Sequence, residues 1–224
     1  MKKKLLSLSI VLLWITSVQA QVHYGVKAGL NLGKYAYEND IMKDDVKMKP
    51  SFYVTGYADL SVAPNFVLQP GISLQGKGSK MEDSWQGSLV STSLHIISIE
   101  IPLNAVYYIP TGALGSVFVG AGPYVGYAIT GRSKAKWSGI DVGDVDSGVY
   151  DSPNGSRSRD IDFSGDDKVM KRLEAGVNFL IGYKLSNGFL INAGYGLGLT
   201  NLSAASLLSG YSNRVLSFGA GFQF

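Results

Sequence analysis

The sequence predicts an all-β protein, an eight-stranded antiparallel up-and-down transmembrane β-barrel. Three observations predict it. Apolar residues alternate with small or polar ones through eight segments, the connections between segments alternate long and short, and glycine, 28 of 224 residues, crowds one face of the strands. Successive side chains of a strand point to opposite faces, so alternation sorts residues into two walls. Charged residues are 17% of the chain, below the usual quarter of a soluble domain, and there is no cysteine. That excludes a disulfide scaffold, a Cys-ligated metal and a cysteine nucleophile.

The chain opens with Lys2, Lys3 and Lys4, an apolar run from Leu5 to Val18, and Val18-Gln19-Ala20. A basic stretch, an apolar stretch and small residues at a cut site read as a secretory signal peptide over 1–20, cleaved after Ala20. The mature chain is then 21–224, a single barrel domain. Losing three lysines takes the formal charge from +3 to 0. From net charge, no case for nucleic acid or an anionic surface survives.

The first segment sets Val22, Tyr24, Val26, Ala28, Leu30 and Leu32 against His23, Gly25, Lys27, Gly29, Asn31 and Gly33. The second, about 51–62, sets Phe52, Val54, Ala58 and Leu60 against Tyr53, Thr55, Tyr57 and Asp59. The third, about 66–77, sets Phe66, Leu68, Ile72 and Leu74 against Gln69, Gly71, Ser73, Gln75 and Lys77. The fourth, about 92–108, runs Ile97, Ile99, Ile101, Leu103, Ala105 and Tyr107 against Ser98, Glu100, Pro102 and Asn104. Its phase slips at Ile96-Ile97, which suggests a bulge. The fifth, about 116–130, opposes Val117, Val119, Ala121, Val125, Tyr127 and Ile129 to Gly120, Gly122, Tyr124, Gly126 and Thr130.

The sixth, about 170–185, places Leu173, Ala175, Val177, Phe179, Ile181 and Tyr183 against Arg172, Glu174, Gly176, Asn178, Gly182 and Lys184. The seventh, about 189–201, alternates Phe189, Ile191, Ala193, Tyr195, Leu197 and Leu199 with Asn192, Gly194, Gly196, Gly198 and Thr200. The last, about 213–224, ends on Leu216, Phe218, Ala220, Phe222 and Phe224. Pro70, Pro102 and Pro123 fall inside strands, where each lacks a ladder donor. Bulges are expected near Pro102 and Pro123.

The links run about 34–50, 63–65, 78–91, 109–115, 131–169, 186–188 and 202–212. Ala63-Pro64-Asn65, Pro110-Thr111-Gly112 and Ser186-Asn187-Gly188 carry turn chemistry. Four long loops on one rim and three short turns on the other is the asymmetry of outer-membrane barrels. A narrow barrel has little interior volume, so the glycine-rich face belongs inside and the bulky face meets lipid. Closure satisfies the backbone, as hydrocarbon requires. Tyr24, Phe66, Tyr107, Tyr183, Phe189, Phe222 and Phe224 lie on the apolar face near the short-turn rim, an aromatic girdle for one membrane interface. The chain ends on an aromatic strand, Phe218, Phe222 and Phe224, which resembles the insertion signal read by the barrel assembly machinery.

Three stretches resemble the PorT-like family, the small outer-membrane barrels of the Bacteroidetes type: Gly25-Val26-Lys27-Ala28-Gly29-Leu30-Asn31-Leu32, Ile99-Glu100-Ile101-Pro102-Leu103, and Gly120-Ala121-Gly122-Pro123-Tyr124-Val125-Gly126-Tyr127. With the final Phe the resemblance covers essentially all of 21–224. It implies an eight-stranded barrel in a Gram-negative outer membrane. The family's namesake is linked to secretion and gliding machinery, and the resemblance carries no catalytic residues.

Lys27, Glu100, Arg172, Glu174 and Lys184 are expected to point inward and to pair, because an unpaired buried charge is costly. With a slip at Ile96-Ile97, His95, Ser98 and Glu100 would all face the lumen. Same-face neighbours on one strand are about 7 Å apart, too far for the direct contacts of a Ser–His–acid set. They read as lumen-lining polar residues. The 131–169 loop holds Asp141, Asp144, Asp146, Asp151, Asp160, Asp162, Asp166 and Asp167 beside Arg132, Lys134, Lys136, Arg157, Arg159 and Lys168. No calcium-loop pattern fits, and it reads as a solvated surface loop. The Gly120–Gly126 run is not followed by a helical pattern and is no nucleotide loop.

The expected function is that of an integral, non-catalytic outer-membrane barrel with a structural or surface-interaction role through loops 34–50, 78–91, 131–169 and 202–212. Its partners are outer-membrane lipid, the assembly machinery during insertion, and an extracellular or secretion-machinery partner. No cofactor or metal is expected. The alternatives are an accessory barrel of a secretion machine and a lipid-modifying outer-membrane enzyme.

Overall fold

The computed structural model describes residues 22–37, 46–85, 88–139, 154–165, 168–204 and 210–224. The leader expected over 1–20 lies outside them. Among the described residues run nine strands: β1 (Val22–Tyr37), β2 (Val46–Ala63), β3 (Phe66–Trp85), β4 (Ser88–Pro110), β5 (Gly115–Ser138), β6 (Gly155–Asp160), β7 (Leu173–Leu185), β8 (Phe189–Gly198) and β9 (Tyr211–Gln223). All pairings between them are antiparallel. Eight of the strands close a ring in the order β1-β2-β3-β4-β5-β7-β8-β9, and β1 meets β9 from Gly25↔Gln223 to Tyr37↔Tyr211. Closure removes the unpaired edges that hydrocarbon would not tolerate.

Alternation decides which way each wall faces. Val26, Leu30, Val54, Ile72, Ile101, Val125, Ile181, Ile191 and Phe218 stand exposed on the outside, while Asn31, Thr55, Asp59, Gln69, Ser73, Glu100, Asn104 and Glu174 are buried inside. The barrel is thus inverted relative to a water-soluble one. The short turns close as turn chemistry dictates. Pro64-Asn65 joins β2 to β3 with Asn65 in the left-handed region at φ 60°. Asn tolerates that conformation better than most residues. Gly112 and Gly188 take φ 93° and 92° in the other two turns.

The structure departs from the sequence reading in four places. First, the ninth strand, β6, lies within the stretch read as the 131–169 loop and pairs with the upper end of β5, Arg132↔Asp160 to Trp137↔Gly155. Second, much of the 34–50 and 78–91 links is strand: β1 runs to Tyr37, β2 starts at Val46, and β3 and β4 are separated only by residues 86–87. Third, the bulge expected at Ile96-Ile97 is found between Ile97 and Ser98, but the extra residue is on the partner strand and β4 itself keeps its phase. Ile96, Ser98 and Glu100 are all buried, and the extra residue is Ile129 on β5, between Ser98↔Ala128 and Ile97↔Thr130. Fourth, no bulge accompanies Pro102 or Pro123. The β4–β5 register is the same at Pro102↔Tyr124 and Ala105↔Ala121, and β5–β7 is unbroken through Pro123↔Val177. The ladder forgoes a bond at each proline without taking in an extra residue.

The wall is uneven. β3, β4 and β5 have 20, 23 and 24 residues against 13, 10 and 13 for β7, β8 and β9. A tilted strand crosses a bilayer in about 9–11 residues. One side of the barrel therefore rises well past the membrane as a sheet built from β2 to β6.

Candidate functional site

The lumen is built by fitting aromatic rings into glycines. Gly25 sits opposite Tyr57, and a Cβ on it would strike the Tyr57 ring. Gly176 stands in the same relation to Tyr124, Gly182 to Phe118, and Gly219 to the Tyr53 hydroxyl. Only a residue without a side chain leaves room for a neighbouring ring inside so narrow a cylinder.

Two polar clusters lie along the axis. In the upper one, Lys77 on β3 forms ion pairs with Glu100 on β4 and with Glu174 on β7, the latter at 2.9 Å across the lumen. Glu174 also accepts from Tyr124 Oη at 2.7 Å and Asn213 Nδ2 at 2.9 Å. In the lower one, Asp59 on β2 accepts from Gln69 Nε2 at 2.7 Å, Tyr108 Oη at 2.6 Å and Gln223 Nε2 at 2.7 Å. Lys27 donates to Gln69 Oε1 at 3.2 Å, and Lys184 donates to Gln223 Oε1. Each lysine thus reaches the one carboxylate through a glutamine amide. The upper cluster carries one cation and two carboxylates, the lower two cations and one carboxylate, so the two clusters together carry no net charge.

Between them lies a cavity of about 80 Å³ lined by Lys27, Asn31, Thr55, Glu100, Asn104 and Asn192 among others. Two apolar clusters pack inside the wall, one toward each end. Above, Tyr35, Ile96, Ala128, Phe163, Met170 and Leu202 pack together, three of them from the segments following β6 and β8. Below, Tyr57, Val67, Val106, Phe118 and Leu190 do the same. The interior is a core packed with polar and aromatic side chains, and at the short-turn rim Lys184 and Gln223 border an open pocket.

Four of the five expected lumen charges stand inside: Lys27, Glu100, Glu174 and Lys184. Glu100 and Glu174 share Lys77, while Lys27 and Lys184 meet amides and the Tyr57 and Tyr108 rings rather than a carboxylate directly. Arg172 lines a small cavity at the upper mouth together with Lys77, Glu174 and Asn213. It lies 5.1 Å from the Phe163 ring and 5.8 Å from the Tyr127 ring, and has no carboxylate partner among the described residues. The correction is His95. It lies on the opposite face of β4 from Ser98 and Glu100, since the strand keeps its phase. Those three residues cannot form a proton path.

The sequence reading left Lys77 and Asp59 out of the charge set, although both sit at polar-face positions in the alternation of β3 and β2. That parity was the available signal. The girdle residues all lie close to the short-turn rim, paired as Phe66↔Tyr107 and Phe189↔Phe222, with Phe222 and Phe224 edge to face at 5.3 Å. Tyr24 accepts a backbone bond from Phe224, and Tyr183 bonds Thr111 at 2.9 Å. Phe218 faces outward higher on the same strand. Of the aspartates in 131–169, Asp141, Asp144, Asp146, Asp151, Asp166 and Asp167 lie outside the described residues.

Comparison with known proteins agrees with this architecture. The profile of the outer membrane protein beta-barrel domain matches residues 18–204. No curated protein matches the sequence. Among solved structures, similarity is found to Ail, the attachment invasion locus protein of Yersinia pestis, crystallised with the heparin analogue sucrose octasulfate. It is 15% identical, with 91% of this chain and 99% of that chain covered and a TM-score of 0.40. Neisserial surface protein A is 12% identical over 89% and 95%, with a TM-score of 0.44. OprG from Pseudomonas aeruginosa is 10% identical over 92% and 97%, with a TM-score of 0.41.

Proposed function

Because this chain belongs to the outer membrane protein beta-barrel domain family, we propose that it is a non-catalytic outer-membrane barrel that presents a surface-interaction platform above the membrane. The observation that carries this is the sheet of β2 to β6 rising beyond the barrel on one side, continuous with the rigid wall below. Rigid scaffolds bearing exposed segments are where binding concentrates. A lumen filled by side chains, with an interior cavity of only about 80 Å³, argues against transport as the main role. The segments involved are 34–50, 78–91, 131–169 and 202–212.

Within the family we place the chain with the PorT-like barrels, on its three motifs, as a membrane component without an assigned secretion role. The leader over 1–20, the aromatic girdle and the terminal aromatic strand read by the assembly machinery belong to the same proposal. Two measurements test it. Replacing residues 133–159 by a short turn removes the appendage while sparing the ring; the variant should still insert and show the heat-dependent gel shift of a folded barrel. Protease added to intact cells should cut the wild type within 139–154 and leave the shortened variant whole. Failure of the shortened chain to assemble, or lipid hydrolysis that disappears in Ser98→Ala, would overturn the reading.

A further inference from the structure

The outer wall of the raised sheet carries an ordered row of cations. Opposite residues of antiparallel strands share a face, so the registers place Lys47, Lys80, Ser93, Lys134 and Ser158 side by side across β2 to β6. One step below lie His95, Arg132 and Asp160; one step above lie Glu82, Ser91, Lys136 and Ser156. The buried partners of this wall, Ile96 and Trp137, face the other way. The row is therefore on the side that is continuous with the lipid-facing surface.

The charges on this face are unequal. Lys47 and Lys80 share the single carboxylate of Glu82, and Arg132 pairs with Asp160 at 3.1 Å. Lys134 and Lys136 are exposed and have no carboxylate partner among the described residues. Each is flanked on both sides by serines, Ser93 and Ser158 for Lys134, Ser91 and Ser156 for Lys136. Ammonium groups with neighbouring hydroxyls are the chemistry that holds phosphate oxygens.

Height identifies the occupant. The outward apolar run of β4 and β5 ends at Ile97 and Ile129. Lys134 lies level with Ser93, four residues beyond Ile97. At a rise of about 3.3 Å per residue and a tilt of about 40°, that is roughly 10 Å above the apolar belt, and Lys136, level with Ser91, stands roughly 15 Å above it. The headgroup layer is about 5–8 Å deep on each side, and lysine stems bend back toward it. Across the barrel, β7 to β9 raise no comparable wall.

We infer that the Lys134–Lys136 face of the raised sheet is a binding site for the headgroup phosphates of outer-leaflet lipids, holding anionic lipid against one side of the barrel. It goes beyond the platform reading and does not depend on it, since it concerns the lipid side of the sheet. The test uses the full-length barrel reconstituted in phosphatidylcholine vesicles with spin-labelled phosphatidylglycerol or phosphatidylcholine, comparing the motionally restricted fraction of each. The wild type should favour phosphatidylglycerol several-fold, the preference should fall with added salt, and Lys134→Gln with Lys136→Gln should bring it close to unity. The charge-preserving pair Lys134→Arg and Lys136→Arg should retain it. Equal association of the two lipids with the wild type, or a preference that the glutamine pair leaves unchanged in a barrel folded by its gel shift, would overturn the inference. If the glutamine pair does not fold, the wild-type preference and its salt dependence decide.

Discussion

The Tyr57 ring fills the volume that a side chain on Gly25 would need, across a β1–β2 pairing that sets the two residues directly opposite. The size of one inward residue therefore fixes the absence of another. Gly25→Val should destabilise the barrel by about 1–3 kcal/mol, the usual cost of overpacking. Tyr57→Ala in the same chain should recover part of that loss. Urea unfolding in lipid vesicles, run as a double-mutant cycle, reads the coupling; additive losses would show that the ring and the glycine are unrelated.

Lys77 is shared by two buried carboxylates, so removing it leaves Glu100 and Glu174 facing each other. Breaking a buried ion pair by deleting one partner costs about 3–5 kcal/mol, whereas replacing all the charges by neutral groups is often nearly neutral. Lys77→Met should lower stability by that order. Adding Glu100→Gln and Glu174→Gln should restore most of it. The same unfolding assay checks both, and a Lys77→Met barrel as stable as the wild type would remove the triad from the account of the lumen.

Above the membrane, Glu82 lies between Lys47 and Lys80, whose hydrogen bonds lower its pKa from 4.5 to about 2. Because the folded value is depressed, its contribution is fully present above pH 4.5 and is lost as pH falls toward 2. The pairing of Val46–Met48 with Ser79–Met81 should loosen across that window. Amide exchange of those residues, compared between wild type and Glu82→Gln, measures it. The wild-type advantage should shrink through the window, and an advantage constant from pH 5 to pH 2 would contradict the assignment.

Much of this architecture is legible in the residues themselves. From Val22 to Gly33 the alternation can be satisfied only by a strand with one greasy face, and Pro64-Asn65 and Asn187-Gly188 announce their turns. β6 was not legible, because Ser156 to Asp160 is exposed on both faces and leaves no hydrophobic period to read. The pairing of Lys77 with Glu174 was equally hidden. Alternation gives the face of each residue but not its height, and height depends on how far the strands are staggered around the ring. Hence inward Asp59 and Lys77 could be seen as polar positions, but not as the centres of two clusters.

Asp59 is the sole carboxylate of the lower cluster, and the protons of Gln69, Tyr108 and Gln223 all converge on it. Lys27 and Lys184 sit one amide away on either side. Asp59→Ala would strip three donors of their acceptor and leave two cations without a counter-charge. Hydrogen bonds to a charged group contribute about 1.5–3 kcal/mol each, and the donors can regain only part of this from water, so a loss of about 3–5 kcal/mol is expected. Asp59→Asn keeps the shape and one acceptor oxygen but turns the other side of the fork into a donor facing donors. Its loss should be smaller than that of alanine yet clearly measurable. Adding Lys27→Met and Lys184→Met to Asp59→Asn should then raise stability again, since the uncompensated charge goes with them. Vesicle unfolding of the four barrels orders them, and an asparagine variant that gains nothing from removing the two lysines would show that Asp59 acts through its hydrogen bonds alone.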